Sequence, residues 1–218
     1  MTTRARGPRI LKGALVAIDP TNPTPKIIAF YYNPTNLRRT LQPQMSGGEE
    51  GDRSQAVRFT GAPVETITVD IEIDGTDLLE AGDAVTTEMG IYPQLSALEL
   101  LAYPSSNQVN QTQSLLTQGT IEIAPMTSPR VLFVWGSKRG LPVRITSYNI
   151  TEEAFDGNLN PIRATVSLSM RILNYTDLSA SSPDYHQFLS YQQSLEAMAP
   201  YATLSNARAI IGVNPASF

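Results

Sequence analysis

Alternation of apolar and polar residues is the clearest structural signal in this chain. From residue 162 to residue 172, apolar side chains occupy every second position and polar side chains lie between them. A second alternation runs through residues 66–74, where isoleucine and valine alternate with threonine and acidic residues. A period of two residues over such lengths is typical of strands with one buried face. We therefore predict two long half-buried strands, each with a polar face turned to water or to a partner.

Shorter apolar runs predict four further strands. Ile10–Ile18 and Lys26–Tyr32 flank a proline-rich turn at residues 19–25, so we expect these two strands to form a hairpin. Val131–Trp135 is continuously apolar, which favours a strand that is buried on both faces. Leu141–Ile150 predicts the strand that follows it.

Two segments carry helix signals. Pro93–Ala102 begins with a proline, which suits a first helical position, and continues with leucines at helical spacing. Near the end of the chain, Ser182 is a good N-cap residue and Pro183 follows it at the first helical position. Apolar residues recur at helical spacing from there until Pro200, which predicts the end of this C-terminal helix.

The remaining segments divide the chain. Residues 43–56 are rich in glycine and charge, and residues 104–119 are rich in Ser, Asn, Gln and Thr, so we expect a loop at each place. We expect a mobile basic arm at 1–8, a β-rich domain at 9–175, and a C-terminal helix with its tail at 176–218. The predicted class is mainly β (α+β), an antiparallel β-barrel or sandwich with two short helices.

Charge narrows the possible functions. The 218 residues carry a formal net charge of −4 at a sequence pI of about 5.0, and only 17% are charged. This balance argues against a nucleic-acid partner, which requires a basic face. Locally, Arg4, Arg6 and Arg9 make the beginning of the chain basic, whereas the charged residues from 65 to 88 are all acidic. The arm is either a solvated tail or a segment that docks on an acidic neighbour.

Candidate chemistry is sparse. The chain has no cysteine and one histidine, His186, which excludes thiolate sites and multi-histidine metal centres. No phosphate-binding glycine loop and no Gly-x-Ser-x-Gly motif occurs. No run of about 18 apolar residues marks a membrane span. We therefore expect that the protein does not insert into a membrane and that it folds in the cytoplasm. We predict no catalytic residue, no metal and no cofactor.

Three motifs occur in a suggestive order. Phe30–Pro34 reads Phe-Tyr-Tyr-Asn-Pro, Val131–Gly136 contains Phe-Val-Trp-Gly, and Thr151–Asp156 carries two glutamates and a phenylalanine before Asn160–Arg163, which reads Asn-Pro-Ile-Arg. This arrangement resembles the tube-protein N-terminal-domain family of contractile injection systems, the phage-tail-like needles that bacteria assemble and fire. The resemblance covers about residues 9–175.

The resemblance implies a β-barrel-like structural subunit without enzymatic activity. Its partners would be inner tube, spike or baseplate, sheath or cap subunits of the same particle, and its copies would form a hexameric ring. Many members continue into a LysM module, which we do not expect here, so an adaptor position at the baseplate or at the cap is open. Arg163 and Arg171 project from the polar face of the long strand and are candidate interface residues, as are those of the basic arm.

Two other functions stay open on sequence grounds. A phage tail completion or neck protein of similar fold would show the same strand pattern. A carbohydrate- or peptide-binding β-domain that acts alone would show it as well.

Overall fold

The computed structural model describes residues 12–19, 22–30, 32–46, 58–118 and 128–202. Nine strands are found in this part of the chain: β1 (Ala14–Asp19), β2 (Asn22–Ala29), β3 (Leu37–Gln42), β4 (Met45–Ser46), β5 (Arg58–Phe59), β6 (Val64–Asp74), β7 (Arg130–Val134), β8 (Gly140–Phe155) and β9 (Pro161–Ile172). Five α-helices accompany them: α1 (Thr76–Glu80), α2 (Ala84–Met89), α3 (Tyr92–Glu99), α4 (Ser106–Thr117) and α5 (Pro183–Met198), the last followed by one 3₁₀ turn.

Seven of these strands form one antiparallel sheet in the order β2-β1-β7-β8-β9-β6-β3, and β4 pairs separately with β5. The mainly β class, the antiparallel pairing and the C-terminal helix are therefore confirmed. The predicted barrel closure is wrong for the described residues, because β2 and β3 end the sheet without pairing to each other. Helices packed on the apolar side take the place of closure.

The two strands with the strongest alternation are the centre of the sheet. β9 lies between β6 and β8, so that Leu168 is opposite Val69 on one side and Tyr148 on the other. Alternate β9 side chains from Ala164 to Met170 are 0% exposed. Each aliphatic side chain buried in this way stabilises the fold by about 1.5–3 kcal/mol. The period-two prediction is confirmed for both long strands.

The shorter strands depart from their predicted bounds. β1 and β2 form the expected hairpin, with Ala14 opposite Ala29. β7 was expected to be buried on both faces, but only Val131 and Phe133 are buried. Arg130, Leu132 and Val134, which alternate with them, are partly exposed. That expectation is wrong because only one face of the sheet is covered by the core. β8 extends five residues past the predicted end at Ile150, as far as Phe155.

Helices α3 and α5 cover the apolar face of the sheet. Leu95 and Leu98 of α3 and Phe188 and Tyr191 of α5 belong to the same buried cluster as the inward side chains of the strands. The predicted helix start is confirmed for α5, since the Ser182 hydroxyl oxygen accepts a hydrogen bond from the Tyr185 amide at 3.2 Å. The apolar tail at residues 207–213 and the arm at 1–8 lie outside the described residues.

Residues 104–119 are mostly helix, not the expected loop. Ser105 caps α4 by accepting a hydrogen bond from the Gln108 amide at 3.3 Å. None of the α4 residues is buried, and the segment consists largely of Ser, Asn, Gln and Thr, so its composition resembles that of a loop and hides the helix. The predicted loop at 43–56 contains strand β4, and its residues 47–56 lie outside the described part.

A buried polar cluster fastens α5 to the sheet. Glu65 projects to the apolar face of β6 and is 5% exposed, and its carboxylate accepts a hydrogen bond from Arg39 Nε at 2.5 Å. Arg39 also donates to the Tyr191 hydroxyl oxygen at 3.0 Å. The pKa of Arg39 is raised, chiefly by the hydrogen bond to Glu65. At the start of the helix, Asp184 forms an ion pair with Arg130 of β7.

Gly90 allows α2 to reach the β8–β9 hairpin. Its φ of +59° and ψ of −135° lie in a region that only glycine adopts readily. A Cβ at this position would overlap with the Pro161 carbonyl oxygen. The next residue, Ile91, donates its amide to that same oxygen at 2.9 Å. The approach of backbone to backbone therefore depends on the missing side chain.

We expect Gly90→Ala to lower the free energy of unfolding by several kcal/mol, on the order of 3, because overlap adds to backbone strain. Gly82 is the matched control, since its φ is +71° but a Cβ added there would have no atom within 4 Å. Gly82→Ala should cost about 1 kcal/mol from strain alone. Urea denaturation of both variants measures the difference, and equal losses would contradict the close approach.

Loss of the buried carboxylate should loosen α5. Glu65→Ala leaves Arg39 without its ion-pair partner and should cost about 2–3 kcal/mol. Tyr191→Phe removes one hydrogen bond and should cost about 1 kcal/mol. Gln193→Ala, at an exposed position of the same helix, is the control. The same denaturation series tests this order, and a neutral Glu65→Ala would show that the cluster does not hold the helix.

Candidate assembly surface

Among the described residues, the sheet has an open edge along β8. β7 pairs only with Gly140–Val143, whereas β9 continues to pair with β8 as far as Phe155. From Arg144 to Phe155, no described strand lies on the other side of β8. Twelve residues of strand span about 40 Å. An edge of this length presents a row of backbone donors and acceptors that another strand can pair with.

The two terminal strands of the sheet are less suited to pairing. β2 contains Pro23 and Pro25, which have no amide hydrogen to donate. β3 has six residues, and Arg38 and Arg39 are consecutive within it. Prolines, short strands and charges are devices that discourage pairing at an edge. β8 has neither prolines nor charges between Ile145 and Thr151.

The outward face of β6, β9 and β8 is polar along the middle of these strands. Ser167 in the middle strand is opposite Asp70 on β6 and Asn149 on β8. Its hydroxyl donates to the Asp70 carboxylate at 2.5 Å. Nearby, the hydroxyls of Thr68 and Ser169 are 3.4 Å apart. These side chains are partly or fully exposed. The face is therefore in contact with water, while hydrogen bonds hold its side chains in place.

Each candidate arginine on β9 has a partner within the chain. Arg163 donates from Nε to the Asp74 carboxylate at 3.0 Å, and Arg171 lies 2.7 Å from the Asp177 carboxylate. The pKa of Asp74 is lowered, first by hydrogen bonds from Thr76 and then by Arg163. Both arginines are part of the polar face, and their side chains are 35–45% exposed. The other three candidates, Arg4, Arg6 and Arg9, lie outside the described residues.

A rigid hairpin tip connects β8 to β9. The Asp156 carboxylate accepts hydrogen bonds from the Asn158 amide at 2.7 Å, the Asn160 amide at 2.8 Å and the Asn160 side-chain amide at 2.8 Å. The pKa of Asp156 is lowered, chiefly by the Asn160 side chain. Asn160 also donates to the Glu88 carbonyl oxygen at 3.1 Å, which connects the tip to α2.

Strain and exposure coincide at this tip. Ala154 has φ +51° and Leu159 has φ +66°, both in the left-handed region that costs a non-glycine residue about 1–2 kcal/mol. Leu159 is 75% exposed and Phe155 is 50% exposed. Leu159 therefore combines a strained backbone with an apolar side chain that the described residues leave largely in water. Such outliers cluster at functional positions.

Sites for chemistry are sparse in the described residues. No group of three or more His, Asp or Glu side chains there is arranged to hold a metal ion. His186 is exposed on α5, with its ring edge-on to that of Tyr185. A cavity of about 300 Å³ lies between α3, the start of α4 and strands β1 and β2, and Leu100, Leu101 and Tyr103 contribute to its largely apolar lining.

Membrane crossing by a helix has no support in the described residues. None of the helices found there combines the length and apolar character that a bilayer span requires.

Sequence reasoning found the polar strand face but missed the open edge and the tip. The edge is open because β7 is shorter than β8. The length over which two strands pair cannot be read from the sequence of either strand alone, so the edge was not predicted. The tip had a readable signal in Asp156, Asn158 and Asn160, whose spacing favours side-chain capping of a turn. The strained φ of Leu159 had no signal in its residue type.

Comparison with known structures finds distant likenesses. One is the tail of an empty GTA particle, refined helically with C6 symmetry, with 11% identity over 73% of this chain and 90% of that chain at a TM-score of 0.30. Another is the baseplate of the anti-feeding prophage (AFP), 6-fold symmetrised, with 10% identity over 79% and 94% of the two chains at a TM-score of 0.25. Comparison with curated proteins gives no match.

The family comparison is decisive. The sequence profile described as "contractile injection system tube protein" matches residues 17–180, which is most of the chain and includes every strand from β2 to β9. This confirms the family expected from the three motifs, and with it a structural role in a phage-tail-like particle. The chain belongs to the contractile injection system tube protein family.

Proposed function

We propose that copies of this chain associate side by side in a ring that joins the inner tube to the baseplate and spike, or to the cap. The subunit works as a scaffold without catalysis. Its partners are the inner tube, spike or baseplate, sheath or cap subunits of the same particle. The particle is assembled in the cytoplasm, and the subunit acts without nucleic acid and without inserting into a membrane.

The open edge of β8 is the observation that carries this proposal. An unpaired strand of about 40 Å is a liability for a protein that acts alone, since it invites aggregation. In a ring, the strand is covered because each copy presents it to a neighbour. A lateral contact that joins two different surfaces of neighbouring copies closes into a ring when the repeated rotation between copies adds up to a full turn. The copy number we propose is six, as the resemblance to the tube family implies.

The polar face of β6, β9 and β8 then lines one surface of the ring. Arg163 and Arg171 are held in place by Asp74 and Asp177, and in this proposal their partly exposed side chains also bind carboxylates or carbonyl oxygens of neighbours. The basic arm with Arg4, Arg6 and Arg9 serves in the same proposal as a strap that binds an acidic surface of an adjacent subunit.

Two neighbouring proline substitutions test the edge. Successive backbone amides of a strand point in opposite directions, so one of Thr151→Pro and Glu152→Pro removes an amide directed at β9 while the other removes an amide on the open side. Both side chains are exposed. The variant that removes the amide directed at β9 should lose several kcal/mol of stability, about 3. The variant that removes the amide on the open side should remain folded but fail to form rings.

Thermal unfolding tells the two variants apart, and electron microscopy of the purified protein scores rings. The control is Gln193→Lys at an exposed position of α5, because a proline at this position would break the helix. This control should leave both the melting temperature and ring formation unchanged. If the folded proline variant forms rings as the wild type does, β8 is not the lateral contact.

Particle composition tests the joining role. Deleting the gene should leave no assembled needles or needles without one end, as seen by electron microscopy. Quantitative mass spectrometry of intact particles should find the chain in one or a few rings' worth of copies, about 6 to 12 for rings of six. A stand-alone binding domain would be absent from the particles, and intact needles that contain none of the chain would end the proposal.

A further inference from the structure

A groove runs between α3 and the outer edge of β2. It consists of two cavities of about 300 Å³ each, which share Pro93 and Ala97 of α3 in their lining. The first is the cavity between α3, the start of α4 and strands β1 and β2. The second is lined by the end of β2, by Ile71 and Ile73 of β6 and by α3. Both linings are largely apolar, which is typical of a binding site.

Unpaired strand edges face this groove from two sides. Among the described residues, β2 pairs only with β1, and its Ile27 is 68% exposed. β3 pairs with β6 as far as Val69, so no described strand lies beside residues 70–74 on that side. Residues 27–29 and Ile73 line the same cavity, which places the two edges across the groove from each other. An extended segment in the groove can pair with these edges as an added strand.

A polar atom in the groove wall lacks a partner. Gln94 Oε1 is buried, and no described residue donates a hydrogen bond to it. Buried polar atoms without a hydrogen bond are rare in folded proteins. Every main-chain amide apart from that of proline is a donor that fits such an acceptor. The groove therefore favours a peptide segment as its occupant.

The end of the groove at Asp74 is acidic. Leu78 of α1 lines the groove there, and the same helix carries Asp77 and Glu80. Both of these carboxylates are exposed, and neither has an ion-pair partner among the described residues. Asp74 is already paired with Arg163. The two carboxylates of α1 thus remain for a positively charged occupant.

The other charges near the groove do not alter this sign. Among the charged residues of the described elements that line it, Lys26 is the one cation, and all the others are Asp or Glu. Outside the described residues, Glu49, Glu50 and Asp52 belong to the segment between β4 and β5. That segment precedes the start of β6, whereas Asp74 is the last residue of the strand. It is a second acidic candidate, which experiment has to tell apart from α1.

The N-terminal segment (residues 1–11, which includes the basic arm) joins the described chain beside this groove. The Gly13 carbonyl oxygen accepts a hydrogen bond from the Phe30 amide at 2.8 Å, and Phe30 lines the second cavity. Eleven extended residues span about 36 Å, which exceeds the whole length of β2. The segment is therefore long enough to cross the end of β2 and follow the groove.

The composition of the N-terminal segment matches the groove. Arg4, Arg6 and Arg9 are its charged residues, and none is acidic. Ile10 and Leu11, which come just before the described chain, are apolar like the lining of the cavity beside Phe30. Charge and apolar character are thus complementary in the same order along the chain and along the groove.

We infer that this groove binds the N-terminal segment, and that in the isolated subunit it holds the segment of its own copy. Tethering favours the own copy, because the effective concentration within one chain is about millimolar. In the proposed function the arm binds an acidic surface of an adjacent subunit, and the groove is that surface. Where it concerns the ring, the inference rests on that proposal: the segment passes from its own groove to the groove of the next copy, an exchange of identical elements.

Introduced thiols report the contact, since the chain has no cysteine. The variant Ala5→Cys with Ala97→Cys places one thiol in the arm and one in the groove wall. Dilute monomer is treated with a short reagent that joins two thiols, and mass spectrometry of the digested protein measures the cross-link. We expect roughly tenfold more cross-linking than in the control Ala5→Cys with Gln193→Cys. Both variants should melt at the wild-type temperature, because Ala97 and Gln193 are at least partly exposed helix positions.

Matched neutralisations identify the acidic partner of the arm. Added to the variant with Cys at 5 and 97, Asp77→Asn with Glu80→Gln should lower the cross-linking yield about threefold, because exposed ion pairs are individually weak. Glu49→Gln with Glu50→Gln removes the same charge from the segment between β4 and β5 and should leave the yield unchanged. High salt should reduce the yield in the same direction as the α1 neutralisation.

The exchange between copies is tested by mixing two single variants, Ala5→Cys and Ala97→Cys. Rings formed from the mixture should contain the cross-link between copies, whereas the same mixture of dilute monomers should not.

Three results would overturn the inference. Equal cross-linking to Ala97→Cys and to the Gln193→Cys control would show that the segment does not lie in the groove. A loss with the Glu49 and Glu50 neutralisations, but not with those in α1, would assign the arm to the other acidic segment. Mixed rings without a cross-link between copies would exclude the exchange. Ring formation is scored separately in each case, so a monomer that cross-links but never forms rings counts against the ring and leaves the groove assignment intact.

Discussion

The ladder between β8 and β9 is the feature on which the rest of the molecule depends. It runs from Val143 opposite Ile172 to Phe155 opposite Pro161, with one irregularity between Ile145 and Ser147. Because the side chains of a strand alternate between faces, this register places the buried residues on one face and the polar residues on the other at once. A shift of one residue would bury Ser167 and expose Leu168, so core and surface are specified together.

The same ladder positions the surfaces that we assign to assembly. β8 is long because β9 supports it beyond the end of β7, and the unsupported side of that extension is the open edge. The hairpin that closes the ladder is made rigid by Asp156 and by the approach of α2 at Gly90. The same hairpin contains Leu159, whose left-handed backbone conformation costs about 1–2 kcal/mol of strain. The Leu159 amide donates a hydrogen bond to the Asp156 carbonyl oxygen at 3.1 Å, so the turn itself offsets part of that cost.

Sequence reasoning succeeded where one strand or helix carries its own signal. The alternation from 162 to 172 identified β9, and Ser182 with Pro183 identified the start of α5. It failed where the outcome depends on a neighbour. Val131–Val134 is apolar at every position, yet whether its second face is buried depends on what covers the sheet. Barrel closure likewise depends on how the two terminal strands lie relative to each other, which no local pattern encodes. The buried Glu65 appears in the sequence as one more polar residue of a half-exposed strand, because its partner Arg39 is 26 residues away.

The direction of the open edge decides how copies can be added. Backbone groups at the β8 edge point across the strand, within the plane of the sheet, so pairing there extends the sheet sideways. Repeated from one copy to the next with a fixed rotation, such pairing closes into a ring, which is what the proposed function requires. A subunit in which β7 covered β8 along its whole length could not be extended in this way.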